Sequence, residues 1–268
     1  LIKYMSNEII TPAATVLVIR DGKKGIEVFM VERSNKPPFG NLFVFPGGKI
    51  DESDSDPRAH SLCKSISDEA ASTLLGINNN GLSYWIACVR ECFEEVGILL
   101  AEKKDGSKLN LNESEKSKYQ QYRNDLLEGK ISFYDICELE GLELLTENIA
   151  PFSHWITPAL EVKRFDTRFF IACLPDNQTG LHDGNELVNS LWISAEEAIK
   201  KAYSGEMNMI MPTIKNLEQC IGYSSTHELL MRQQELTNED IPPILPKFFK
   251  EDGNWVGLLP GDEGYDNH

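Results

Sequence analysis

Arg90-Glu91-Cys92-Phe93-Glu94-Glu95-Val96-Gly97-Ile98 sets three carboxylates on a predicted helix and ends them at a glycine. At about 100° per residue, Glu91, Glu94 and Glu95 fall on one face. Leu82, Ile86, Val89, Phe93, Val96 and Leu100 form the stripe on the other side. Like charges at i,i+3 and i,i+4 cost an isolated helix a few tenths of a kcal/mol per pair, so helix physics alone does not ask for this cluster. A bound cation would explain it. Magnesium and manganese take hard oxygen ligands and commonly share their coordination with substrate phosphates. A bare Glu-Glu pair would still read as a solvated acidic face, and the segment upstream changes that balance.

That segment is Phe45-Pro46-Gly47-Gly48-Lys49-Ile50-Asp51, which follows the apolar run Leu42-Phe43-Val44-Phe45. Two glycines directly after a strand let the backbone turn sharply and approach a ligand, where carbonyls join a metal shell and amides meet phosphate. Either signal alone is weak; a glycine loop after a strand paired with Arg-Glu-x-x-Glu-Glu-x-Gly is specific.

Together they resemble the box of Nudix hydrolases: Gly, five residues, Glu, seven residues, then Arg-Glu-apolar-x-Glu-Glu-x-Gly-apolar. Gly48 matches the first glycine, and Arg90 to Ile98 match the second half, with Cys92 at the first apolar place. Two departures stand out. Asp54 occupies the place of the first glutamate, and residues 55 to 89 separate it from Arg90 where the family usually has seven. A start at Gly76 would restore the usual distance to Arg90, but it puts Leu82 at the acidic place and lacks the Pro-Gly-Gly turn.

An insertion inside the box resembles the coenzyme A diphosphatase-like branch of the superfamily. So do Glu32-Arg33-Ser34, His154-Trp155-Ile156-Thr157-Pro158, Arg164-Phe165-Asp166-Thr167-Arg168-Phe169-Phe170, Pro243-Ile244-Leu245-Pro246 and Leu259-Pro260-Gly261-Asp262. The resemblance implies a mixed sheet between helices, an α/β (α+β) sandwich. It implies two or more Mg2+ or Mn2+ ions and a coenzyme A or acyl-coenzyme A substrate cut into 3′,5′-ADP and a 4′-phosphopantetheine fragment. Hydrolysis of NADH or ADP-ribose, and a silent nucleotide-binding module, stay open as alternatives.

With 268 residues, 41% hydrophobic and 25% charged, the chain has enough material for one elaborated domain. The formal charge of -16 argues against nucleic-acid or anionic-membrane surfaces and would repel a diphosphate unless cations intervene. The six cysteines show neither a Cys-x-x-Cys nor a disulfide framework, and reduced buried thiols are expected. The five histidines show no ligand spacing. No apolar run approaches the length of a membrane span, and the chain ends Tyr265-Asp266-Asn267-His268 rather than in a Ser-Lys-Leu-type address, so a cytoplasmic location is expected.

The predicted elements place these motifs. Thr15–Ile19 and Ile26–Val31 read as a hairpin, Leu42–Phe45 as a third strand, and Ala59–Leu75 as a helix within the insertion. Helices are expected near Glu113–Glu128 and Ser132–Leu139. Strands are expected at Ala150–Thr157, Leu160–Arg164, Arg168–Leu174 and Ser190–Ile193, followed by helices over Ala195–Tyr203 and from Pro212 to about Gln234. The organisation is then an N-terminal extension (1–10), a Nudix domain (11–211) with helical insertions at about 55–83 and 102–148, and a C-terminal helix with an extended Pro-rich tail (212–268) on the same domain. The first insertion is open to use as a lid, as a contact in a homodimer, or as packing.

The resemblance assigns roles residue by residue. Glu91, Glu94 and Glu95, helped by the Gly47 carbonyl, are the expected metal ligands. Asp54 is an outer ligand or a loop cap, and Arg90 orients the acidic cluster by ion pairing. The base that deprotonates water is Glu186, in the loop before the last strand, or Glu91. Gly48, Arg33, Arg164 and Arg168 are candidate phosphate contacts, because amides and guanidinium forks suit phosphate oxygens. Trp155, Phe165 and Phe169 are stacking candidates or core aromatics.

Overall fold

In the first strand, β1 (Ile10–Gly22), Ala14, Val16 and Val18 enter one apolar core while Leu17 and Ile19 enter another, the period-two pattern of a strand buried on both faces. The chain is seen here as a computed structural model that describes all residues except 1–9, 24, 35–40, 108, 110, 112, 177, 181–186 and 268. After β1 come β2 (Gly25–Arg33), β3 (Phe43–Val44), β4 (Gly47–Lys49), α1 (Pro57–His60), α2 (Asp68–Leu75), α3 (Leu82–Val96) and β5 (Ala101–Lys103). Then follow α4 (Glu113–Leu127), α5 (Phe133–Leu139), β6 (Leu142–Leu144), β7 (Ile149–Ile156), β8 (Arg164–Cys173) and β9 (Leu187–Ser194). The chain closes with α6 (Ala195–Tyr203), α7 (Met211–Gln219), α8 (Thr226–Gln234), β10 (Pro243–Ile244), β11 (Lys247–Glu251) and β12 (Asn254–Leu258).

The main sheet is mixed, in the order β10-β7-β8-β1-β2-β3, with β4 beside β1 and β9 along the other edge of β2. β1 runs parallel to β8, and its C-terminal half forms the hairpin with β2 (Ile19 opposite Val28). Its N-terminal half instead pairs with β4, Ala14 opposite Gly48 and Thr15 opposite Gly47. The sheet therefore forks where the glycine loop sits, and α3 packs against β1 and β4 at that fork. One core joins α2, α3, α4 and α5 to the sheet; the other joins α6, α7 and α8 to its opposite face. This is the sandwich expected from the sequence.

The buried stripe fixes α3. Ile86, Val89, Phe93 and Val96 are at most 1% exposed, and each such side chain contributes about 1.5–3 kcal/mol on burial. The helix stops at Gly97, whose φ of +67° admits no ordinary side chain without strain. No helix among the described residues is long and apolar enough to cross a membrane.

Four elements differ from expectation. The single helix expected over Ala59–Leu75 is two, because Ser67 caps a new helix by accepting the Ala70 amide. The helix expected from Pro212 is also two; Gly222 at φ +96° breaks it and Ser225 caps α8. Residues 160–163 form the turn between β7 and β8, where Leu160 and Val162 are exposed rather than buried, and Arg164 begins β8. The tail is not simply extended: β10 joins the main sheet beside β7, and β11 and β12 form a hairpin.

Candidate active site

Arg90, 4% exposed, is the hub of the carboxylate cluster. Its Nε and Nη2 donate to the two oxygens of Asp54, both at 2.8 Å. Nη1 donates to Glu91 at 2.8 Å and to Glu94 at 3.3 Å, and Nη2 also reaches the Lys49 carbonyl at 3.0 Å. Asp54 is 1% exposed and sits in a 3-10 turn over Glu52–Ser55, where it also accepts the Asp51 amide at 2.8 Å. With both oxygens engaged, Asp54 locks Arg90 to the loop. Its bond to the Asp51 amide is that of a loop cap, the role the sequence left open beside that of an outer ligand.

Gly47 and Gly48 are required by close approach. A Cβ on Gly47 would lie 2.5 Å from the Ala14 carbonyl oxygen, and one on Gly48 would lie 2.3 Å from a Glu91 carboxylate oxygen. The Gly47 amide donates to Glu95 Oε2 at 3.0 Å, so loop and helix are joined through the third glutamate.

The electrostatics of the cluster are unbalanced. Arg90 is shared by Asp54, Glu91, Glu94 and, at 3.7 Å, Asp51, one guanidinium against four carboxylates. Burial pushes the Glu91 carboxyl up to about 7, against the pull of Arg90, and burial likewise raises Glu94. Among the described residues no three carboxylate, histidine or thiol groups already converge around a cation position, because Glu91 and Glu94 turn to Arg90 and Glu95 turns to Gly47. The donor set nonetheless fits a hard divalent ion: several carboxylates in one half-buried place, short of positive charge, beside a glycine loop.

A stability test follows. With its folded pKa of about 7 above the ordinary 4.5, Glu91 favours the folded state when protonated, and that contribution is lost as pH rises through about 7. In EDTA, Glu91→Gln should therefore be more stable than the native chain at pH 8, by up to about 3 kcal/mol, with the gap closing below about pH 5. Thermal melts across that range check it. A gap that does not change with pH would contradict the assignment of the burial cost to Glu91.

Two of the arginines considered for phosphate also make contacts within the fold. Arg164 Nε donates to the Thr157 carbonyl at 3.0 Å, and Arg168 Nη1 donates to the Leu75 carbonyl at 2.7 Å, tying the C-terminal end of α2 to β8. Among the described residues, Arg168 Nε is buried without a hydrogen-bond partner, 3.7 Å from Asp166 Oδ1. Arg33 closes β2, where its amide donates to the Leu42 carbonyl at 3.0 Å. Glu186 lies outside the described residues. Trp155 and Phe169 are core residues, 3% and 8% exposed, beneath the C-terminal helices. The six cysteines are free thiols and all but Cys173 are buried, with Cys88 and Cys92 inside the α3 core.

Two features escaped the sequence reading. Arg123 of α4, 3% exposed, donates to the carbonyls of Glu94 and Glu95; its only sequence signal is its place on the inward stripe with Tyr119, Tyr122 and Leu126. A cleft of about 450 Å³ lined by Pro12, Ile50, Ser55, Ile77–Asn80, Ser83 and Tyr84 runs between the glycine-loop segment and the first insertion. A larger one, about 580 Å³, lies at the β1–β2 turn around Arg20, Glu27 and Trp192. It is at the other end of β1 from Gly47 and Gly48, where Arg20 stacks on Trp192 at 4.3 Å and pairs with Glu27, so the smaller cleft is the better candidate for substrate.

Comparison with known proteins gives the family. The NUDT19 Nudix domain matches residues 68–220, which include α3 and its glutamates. The acyl-coenzyme A diphosphatase NUDT19 of Xenopus laevis is 27% identical over 270 residues, covering 89% of this chain and 71% of the relative. The human protein of the same name is 27% identical over 193 residues, and the match spans about half of that relative's length (51%) and 69% of this chain. Among solved structures, a NUDIX hydrolase from Alicyclobacillus acidocaldarius superposes with a TM-score of 0.70 at 25% identity, covering 84% of this chain and 97% of the other. With more than half of its length matched and the same fold, the chain belongs to the NUDT19 Nudix domain family.

Proposed function

We propose that this chain is a metal-dependent diphosphatase that hydrolyses coenzyme A or acyl-coenzyme A to 3′,5′-ADP and (acyl-)4′-phosphopantetheine. The observation that carries the reading is the carboxylate face of Glu91, Glu94 and Glu95 brought against the Gly47–Gly48 loop, in a chain whose relatives bear the name acyl-coenzyme A diphosphatase. Glu91, Glu94 and Glu95 would hold Mg2+ or Mn2+, which when bound neutralises the diphosphate and lowers the pKa of a water.

In the reaction an oxygen–phosphorus bond forms from water, the bridging oxygen–phosphorus bond breaks, and the bridging oxygen leaves on the departing phosphate. A base takes the proton of the water. Glu91 and Glu186 are the two candidates for that base. Arg90 and Asp54 hold the glutamates in register with the loop.

The smaller cleft carries no charged side chain, only amides, hydroxyls and an apolar wall of Pro12, Ile50 and Ile77. It suits the uncharged pantetheine arm rather than the 3′-phosphate, which would lose hydration there without gaining a cation. Asn79→Trp, at an exposed position in the insertion, should weaken competitive inhibition by 4′-phosphopantetheine about tenfold, or about 1.4 kcal/mol, and leave 3′,5′-ADP inhibition unchanged. Weakened 3′,5′-ADP inhibition instead would assign the cleft to the nucleotide.

The decisive assay is turnover of coenzyme A, acetyl-coenzyme A, NADH and ADP-ribose with Mg2+, Mn2+ or EDTA. Metal-dependent release of 3′,5′-ADP from the coenzyme A compounds is the expected result. Turnover of only NADH or ADP-ribose would reassign the substrate, and binding without turnover would make this a silent nucleotide-binding module.

A further inference from the structure

Arg123 lies in α4, inside the 102–148 elaboration, far in sequence from the box. Its guanidinium is delivered by a braced helix. Tyr119 is 3% exposed and meets Phe93 of α3 edge-on at 6.5 Å, while Lys118 and Tyr122 bind the Glu140 carboxylate at 2.7 and 2.9 Å. From there Nε donates to the Glu94 carbonyl at 2.6 Å and Nη2 donates to the Glu95 carbonyl. Nη1 comes within 3.5 Å of where a Gly97 side chain would begin.

Carbonyls in the last turn of a helix lack partners within it, and a cation at that end is favoured by the helix dipole. Water satisfies such groups at most exposed helix ends. Here a rigid fork does so, on two of the three residues whose carboxylates form the candidate metal face. Glu95 is thereby held at both ends, its backbone by Arg123 and its carboxylate by the Gly47 amide. Glu94 is held by Arg123 at its carbonyl and by Arg90 at its carboxylate.

We infer that Arg123 is a positioning residue for the metal-binding face, fixing the last turn of α3 so that Glu94 and Glu95 present their carboxylates in one place. The second elaboration is then part of the active-site framework. This inference rests on the reading of Glu94 and Glu95 as metal ligands.

The test compares Arg123→Lys and Arg123→Gln with Leu217→Ala, a core substitution on the opposite face of the sheet that leaves α4 and the two carbonyls untouched. Mn2+ binding is read by electron paramagnetic resonance, alongside thermal melting and the kinetics of acetyl-coenzyme A hydrolysis. Both Arg123 variants should bind Mn2+ about tenfold or more weakly, the usual cost of losing a residue that orients ligands, with KM at saturating metal little changed. Lysine should fail to rescue, because a point charge cannot span two carbonyls. Leu217→Ala should lower the melting temperature at least as far as Arg123→Lys and keep native Mn2+ affinity.

Native Mn2+ affinity in Arg123→Lys would overturn the inference, as would a loss in Leu217→Ala that tracks its melting temperature. A native chain that binds no Mn2+ would remove the ligand reading and this inference with it. One that binds Mn2+ but leaves acetyl-coenzyme A intact would sink only the substrate assignment, since the binding comparison still reports on Arg123.

Discussion

Glu94→Gln should lower kcat for acetyl-coenzyme A by about 10²–10³-fold at saturating Mg2+, the size of effect seen when one preorganised electrostatic contact to a reacting centre is removed. The substitution keeps the shape of the side chain and an oxygen for Arg90, from which Glu94 accepts at 3.3 Å, so the fold should tolerate it. What it removes is one negative charge from a cluster already sharing a single guanidinium among four carboxylates. In EDTA the variant should therefore melt no lower than the native chain, and it should gain less stability when Mg2+ is added. Steady-state kinetics at several metal concentrations, with melts beside them, separate the two effects. Activity within about threefold of native would place the metal elsewhere.

The carboxylate face was legible because a helix has one period, and three glutamates on one side of an apolar stripe survive folding unchanged. Gly47 and Gly48 were legible for a similar reason, since a strand that ends in two glycines announces a close backbone approach, here to Ala14 and Glu91. Asp54 was harder. The Asp51–Asp54 cap is a local pattern, but the partner of Asp54, Arg90, lies 36 residues on, beyond the reach of any local signal.

The carbonyl contacts of Arg164 and Arg168 were not legible for a general reason. Backbone carbonyls also accept from guanidinium groups, and carbonyls leave no mark on a sequence. Arg123 is the extreme case, its two partners lying 29 and 28 residues away, and only its intrusion on the Tyr119–Tyr122–Leu126 stripe hinted at an inward role. The misread helices failed at caps: Ser67 and Ser225 each satisfy a helix N-terminus, a stronger local instruction than the apolar pattern running through them.

Asp54→Ala should destabilise the protein by about 3–5 kcal/mol, because it strands Arg90 inside the protein with its principal partner gone. Both groups are nearly inaccessible, Asp54 at 1% and Arg90 at 4%, so water cannot replace the two 2.8 Å bonds. At roughly 2–4 °C per kcal/mol for a chain of this size, the melting temperature should fall by about 10 °C. The freed guanidinium would also turn more fully to Glu91 and Glu94 and compete with a divalent ion for them, so Mn2+ affinity should fall as well. Asp54→Glu should cost less, about 1–3 kcal/mol, since it keeps the charge but forces a methylene into a filled turn.

The double variant Asp54→Ala/Arg90→Met separates pairing from chemistry. Removing both charges leaves no unpaired ion, and an apolar replacement of a buried pair is often nearly neutral, so most of the lost stability should return. Activity should not return, because Glu91 and Glu94 would have lost the guanidinium that sets their orientation toward the glycine loop. Urea denaturation of the four members of this cycle gives the coupling between Asp54 and Arg90 directly. Stability lost in Asp54→Ala and unrecovered in the double variant would show that the residue acts through its turn rather than through Arg90.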